Sequence, residues 1–178
     1  DGLIRKSAET SYLGDNVYNT TGTDQRRSQA VASGAKATYV LKVQNDGNVP
    51  DGFNVTGTAG DSGWTVKYYD AVTGGTEVTS SVTGTSGWTI NSLAPQAATE
   101  FRVEVVAGGA SVAANASKAV LVTATSVGET AKKDVVKAVT TVRTPADLIG
   151  SSLSISPPEG GTATPRTVTC VVKNVGTA

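Results

Sequence analysis

The chain has 178 residues, which suits one ordinary domain or a domain with a piece of another. Lys+Arg is 15 and Asp+Glu is 15, so there is no cationic surplus to hold nucleic acid or an anionic membrane. His is absent and Cys occurs once, which excludes a His-based catalytic relay, an imidazole zinc site and an internal disulfide.

No apolar run approaches the ~18 residues that a membrane span needs. Met is absent and no basic segment precedes an apolar core at the start, so the sequence reads as processed or as cut from something longer. Charged residues are 17% and aromatics 5%, and Thr, Val, Ala, Ser and Gly dominate the rest. Stiff β-branched side chains favour pleated surfaces over helices.

Period-2 alternation marks the strands in chain order. In 38–44 (TYVLKVQ), Tyr39, Leu41 and Val43 share a face. In 53–57 (FNVTG), Phe53 and Val55 do. In 64–70 (WTVKYYD), Trp64, Val66 and Tyr68 alternate with Thr65, Lys67 and Tyr69. SGWTI (86–90) near-duplicates SGWTV (62–66), so Trp88 also begins a strand. In 100–106 (EFRVEVV), Phe101, Val103 and Val105 point inward and Glu100, Arg102 and Glu104 outward. AVLVTATSV (119–127) is apolar on both faces at first, like a central strand, and KDVVKAVTTV (133–142) closes the series. Gly74-Gly75 makes a turn between two strands, and Pro95 sets another before residue 100. Segments 111–119 and 129–138 carry weak helical signals. Short alternating strands between turns predict an all-β antiparallel sandwich. Its core should hold Phe53, Trp64, Val66, Phe101, Val103, Val105, Val120 and Val122. Cys170 reads as a small buried strand residue.

The sequence repeats itself in part. LIRKS (3–7) after Asp1-Gly2 returns as LIGSS (148–152) after Asp147, and VQNDGN (43–48) returns as VKNVGT (172–177). The two copies differ in spacing by an excursion, 14–29, peculiar to the first. Domain one is therefore expected at 1–143, a linker at 144–146 marked by Pro145, and the first strands of a second copy at 147–178. In the Val-x-Asn-x-Gly motif, Asn45 can bond the turn backbone and Gly47 can take positive φ, so it reads as a tight seam between neighbouring strands.

This frame, in YVLKVQNDGNVPDGFNV and again in TVTCVVKNVGTA, resembles the cell-adhesion-related domain found in bacteria. These are immunoglobulin-like β-sandwiches arrayed in tandem on large surface proteins. The resemblance covers most of 1–143 and, truncated, 147–178. It implies an extracellular or cell-surface location and a structural or adhesive role, and it implies no catalytic residue.

Among residues that carry chemistry, Glu100 and Glu104 stand about 13 Å apart along one strand, beyond a glycosidase pair's roughly 5–10 Å, with Arg102 between them. Oxygen-rich loops offer candidate calcium ligands: Asp46, Asn48 and Asp51 in one, Asp15, Asn16 and Asn19 in the other. Neither follows the twelve-residue calcium-loop pattern, and such residues also build turns. Calcium is therefore the one cofactor these loops suggest, and stability should depend weakly on it. NTT (19–21), NVT (54–56) and NAS (115–117) make Asn19, Asn54 and Asn115 candidate glycosylation acceptors. Trp64, Trp88, Tyr68 and Tyr69 form either core anchors or a sugar platform, with Tyr69, out of phase, the candidate sugar contact.

The functional expectation is a non-enzymatic building block of an extracellular array or filament, with the chain itself as partner. An adhesive or carbohydrate-binding module is the rival, and an enzyme stands behind both. A lone hairpin at 147–178 cannot bury its apolar face, so Leu153, Ile155, Val168, Cys170 and Val172 should seek a partner surface. The first domain, a continuation of the chain and a neighbouring copy could each supply one, and strand addition to another copy is the expectation.

Overall fold

The computed structural model describes residues 1–108, 112–143, 148–156 and 167–174. The linker expected at 144–146 and Gly176 of the repeated motif lie outside them. The chain divides into two units, Asp1–Val142 and Arg143–Ala178.

The first unit holds β1 (Gly2–Lys6), β2 (Arg26–Val31), β3 (Lys36–Gln44), β4 (Asp51–Gly57), β5 (Trp64–Tyr69), a one-turn helix α1 (Thr79–Val82), β6 (Trp88–Leu93), β7 (Ala98–Ala107), β8 (Ser117–Ser126) and β9 (Lys133–Val142). One sheet has the order β1-β3-β7-β5 and the other β2-β9-β8-β4-β6. These are the neighbours of the immunoglobulin scheme, with one transposition. The strand beside β7 at the edge of the first sheet precedes, in sequence, the strand beside β4 at the edge of the second. The all-β sandwich expected from the alternation is the fold.

Alternation builds the core directly. β5 reads buried and exposed by turns through Trp64, Thr65, Val66, Lys67 and Tyr68. All eight residues expected inside belong to one core cluster, which β3 joins through Tyr39, Leu41 and Val43. Trp88 meets Phe101 edge-on, ring centroids 5.4 Å apart. Two buried tyrosines cross between layers. Tyr39, in the first sheet, donates its hydroxyl to the Val139 carbonyl at 2.6 Å, and Tyr68 donates to the Thr58 carbonyl at 2.9 Å. Each thus buries a ring without stranding its polar tip.

Several expectations need correction. β2 begins inside the supposed excursion, runs two residues past it, and pairs in parallel with β9, so the sandwich is not wholly antiparallel. Its six residues carry no large apolar side chain, because an edge strand half in solvent does not need one. The segment 129–138 is strand from Lys133 onward, and β8 begins at Ser117 inside 111–119; the one helix among the described residues, at Thr79, falls where none is expected. Gly74 and Gly75 do take φ of 60° and 77°, yet the chain returns past β5 through a single bridge, Tyr69 to Glu77, and no second strand. That bridge covers the outer edge of β5, as Leu13 covers β1 by exchanging main-chain bonds with Ile4. Arg102 points outward by phase but is buried. The motif at Asn45 joins β3 to β4, which lie in different sheets, so it is a crossing between layers.

The second unit contains β10 (Leu148–Ser156) and β11 (Thr167–Asn174), paired antiparallel with an irregularity between Gly150 and Ser152. Its register departs from the repeat. Leu3 faces Lys42, whose counterpart in the repeat frame is Val171, but Leu148 faces Asn174.

Phe101 is fully buried between the layers. Phe101→Ala is expected to lower the free energy of unfolding by about 3–5 kcal/mol in denaturant titration, through lost transfer and a residual cavity.

Candidate functional site

The crossing from β3 to β4 is organised by Asn45, which is itself buried. Its side-chain amide donates to the carbonyls of Val49 and Leu93, both at 2.9 Å, and its oxygen accepts from Gly47 N–H at 3.0 Å. Its main chain bonds the Ala97 carbonyl and the Gln96 N–H. One side chain therefore fixes its own loop and the β6–β7 turn. Gly47 does not adopt positive φ; a Cβ there would lie 3.0 Å from the Asn45 oxygen, a tight contact with the side chain that organises the loop.

The oxygen-rich residues around this crossing are engaged with donors. Asp46 accepts from the Tyr18 hydroxyl at 2.8 Å and the Gln44 amide at 2.9 Å. Desolvation of the hydroxyl, with the Asp46 carboxylate beside it, pushes Tyr18 up to about 12, although the residue as a whole is 58% exposed. Asp51 accepts from Ser126 at 2.5 Å and from Gly128 N–H at 3.0 Å. Burial raises its pKa, but these donors outweigh it and hold the carboxyl below its ordinary value. Asn16 takes positive φ and donates its N–H to the Asp1 carboxylate; Asp15 and Asn48 are exposed. Among the described residues no three His, Cys, Asp or Glu side chains group as metal ligands. An open cleft of about 530 Å³ lies here, lined by Tyr18, Asp46, Val49, Asp51 and Phe53 among others.

The excursion is ordered by a residue that the strand pattern does not single out. Asp134, buried near the start of β9, accepts Gly2 N–H at 2.7 Å and Gln25 Nε2–H at 3.2 Å on one oxygen. Its other oxygen accepts Asn19 N–H at 3.1 Å and Val135 N–H at 2.9 Å. Within the excursion the Asn19 oxygen accepts three further N–H groups, from Thr21, Gly22 and Thr23. A charged residue beside the apolar Val135 and Val136 is the available signal in the sequence.

The remaining candidates are scattered. Arg102 lies over the Tyr69 ring, 3.8 Å from its centroid, and donates to the carbonyls of Ala71 and Gly74, so one face of that ring is covered. Glu104 is paired with Lys36 at 2.9 Å and Arg102 at 3.0 Å, a charge ladder. Asn54 sits mid-strand in β4, accepting the Thr89 hydroxyl, whereas Asn115 is exposed in the turn before β8.

In the second unit, cross-strand register sorts the ribbon into two faces. Leu153 faces Cys170, Ile155 faces Val168 and Gly150 faces Val172, while Ser152, Ser154 and Ser156 face Val171, Thr169 and Thr167. Leu153, Val168 and Val172 are exposed, at 70%, 63% and 57%. Cys170 is exposed as well, not buried as expected. The side chain of Ile155 lies outside the described residues.

No family model matches the chain, and no curated protein matches it. Among solved structures it is similar to a FixG-related protein from Vibrio parahaemolyticus, at 12% identity and TM-score 0.39, over 61% of this chain and 79% of that one. It is similar to the PapD-like domain 7 of human CEP192, at 9% identity and TM-score 0.39, over 80% and 83%. It is also similar to the secreted serine protease VesC from Vibrio cholerae, at 11% identity and TM-score 0.42, over 74% of this chain and 26% of the protease.

Asp134→Ala is expected to cost about 3 kcal/mol, because it leaves several buried N–H groups without an acceptor. Amides of 17–25 should lose hydrogen-exchange protection while those of β7 keep it. Excess chelator is expected to leave Tm unchanged; a fall beyond about 10 °C, several kcal/mol of linkage, would reveal a resident cation.

Proposed function

We propose that the chain is a non-enzymatic structural building block of an extracellular array or filament, in which the β10–β11 ribbon engages a second copy. The observation that carries this reading is the sorted ribbon. One face presents Leu153, Val168, Cys170 and Val172, and the opposite face is largely Ser and Thr. A two-stranded ribbon is marginal in water, and covering an apolar face recovers about 25 cal/mol for each Å² removed from solvent. Such a face repeated on every copy, with a receiving surface elsewhere on the next copy, gives a heterologous contact that propagates. The resemblance to tandem cell-adhesion-related repeats points the same way.

The full chain is expected to sediment as a concentration-dependent series of oligomers and to show filaments by electron microscopy. Leu153→Asp with Val168→Asp should reduce it to monomers without changing the melting of the sandwich. Monomers at all concentrations for the unaltered chain, or polymers that survive both substitutions, would reject the reading.

A further inference from the structure

We infer that the outer edge of β6 is the surface that receives the ribbon, and that β11 of a second copy adds to it as a further strand. The inference rests on the proposed assembly and names its receiving site.

The two sheets of the sandwich end in four edge strands, β1, β5, β2 and β6. An edge strand offers unpaired N–H and C=O groups, and proteins cover or charge such edges to keep other chains away. Three of these edges are guarded. Leu13 lies along β1 and exchanges main-chain bonds with Ile4. The return past β5 bridges Tyr69 to Glu77, and Val78 N–H bonds the Tyr68 carbonyl. β2 carries Arg26 and Arg27, the second paired with Glu9 at 3.0 Å. β6 has no such guard. Its six residues, Trp88–Leu93, include no charged side chain, no Pro and no Gly. Among the described residues no main-chain pairing reaches β6 from any segment but β4.

The register shows which groups are open. The Gly52 carbonyl accepts Val127 N–H, so Gly52 turns its main chain toward β8. Successive residues of a strand turn theirs to opposite sides, so Phe53 and Val55 face β6. Their partners Ile90 and Trp88 therefore bond β4, and Thr89 between them presents its N–H and C=O outward.

Two features fit β11 to this edge. The first is side-chain pattern. On the core side of β6, Ile90 is buried and Trp88 half-buried, while Thr89 joins Asn54 and Thr125 of the neighbouring strands on the other side. β11 has the same division, with Val168, Cys170 and Val172 on one face and Thr167 and Thr169 on the other. Laid beside β6, it sets its apolar residues on the core side, next to Trp88, and its threonines on the hydroxyl side. The second feature is regularity. β10 is interrupted between Gly150 and Ser152, which spoils it as a template, whereas β11 is continuous, rich in Val and Thr, and charged only at Lys173 near its end. Main-chain bonds between two such edges supply affinity, and the matching faces supply register.

The test uses the full chain. Thr89→Pro removes the outward N–H at a position where an edge strand tolerates proline. Thr89→Ala keeps that N–H and removes only the hydroxyl, which donates to Asn54 at 3.0 Å. In sedimentation, Thr89→Pro is expected to raise the concentration at which oligomers appear by about tenfold, as for a ladder bond lost with its acceptor stranded, and Thr89→Ala to leave it nearly unchanged. In the unaltered chain, the Thr89 amide is expected to exchange hydrogen freely in dilute monomer and to become protected on assembly, a readout independent of how well the proline variant folds. Oligomers undisturbed by Thr89→Pro, equal loss with Thr89→Ala, or a Thr89 amide that exchanges equally fast in both states would overturn β6 as the acceptor while leaving ribbon-driven assembly standing. Monomers at all concentrations for the unaltered chain would reject the assembly and this site with it.

Discussion

The buried carboxylate of Asp134 is the contact on which the second sheet's edge depends. A carboxylate out of water is costly unless donors surround it, and here four N–H groups converge on its two oxygens. Those donors come from β1, from the segment before β2, and from β9 itself. The charge therefore gathers three stretches of chain, two of them strands. Residues 14–25 offer the core almost nothing, so hydrogen bonding must replace hydrophobic burial as the reason they are ordered. Once they are ordered, Arg26 arrives alongside Lys137 and the parallel pairing of β2 is set.

Asn45 plays the corresponding part at the crossing between sheets. A loop that leaves one layer for the other cannot use ladder bonds, and its inward carbonyls still need partners. The Asn45 amide supplies donors to two of them and an acceptor to a third group. Asp46 and Asp51 serve neighbouring hydroxyl and N–H groups in the same way. Turn chemistry therefore engages the oxygens of Asn45, Asp46 and Asp51 individually. The polar residues that resemble a ligand set are the ones that let a chain cross between two apolar layers.

Legibility in the sequence tracks the size of the buried side chain. Phe101, Val103 and Val105 can be placed inside because a strand with one buried face writes that face into every second residue. β2 cannot be read this way: its burial alternates, but its half-buried positions are Arg27, Gln29 and Val31. Arg102 breaks the rule from the other side. Its phase is outward, yet the 70–76 loop folds over it and supplies carbonyls for its guanidinium. Of the site residues, Asn45 carries its turn-bonding role in its spacing to Gly47. Asp134 carries no such mark, because its partners at Gly2, Asn19 and Gln25 are remote in sequence.

The sequence by itself determined the all-β class, the positions of the alternating strands, the membership of the core and the sorting of β10 and β11 into apolar and polar residues. All of these come from local side-chain pattern, since a pleated strand exposes successive residues to opposite sides. Only the tertiary structure decided that β3 and β4 belong to different sheets, that β2 runs parallel to β9, and that Asp134 holds the long excursion in place. Pairing direction and sheet membership depend on which distant backbone completes each strand's hydrogen bonds. Alternation within a strand is the same whichever neighbour lies beside it.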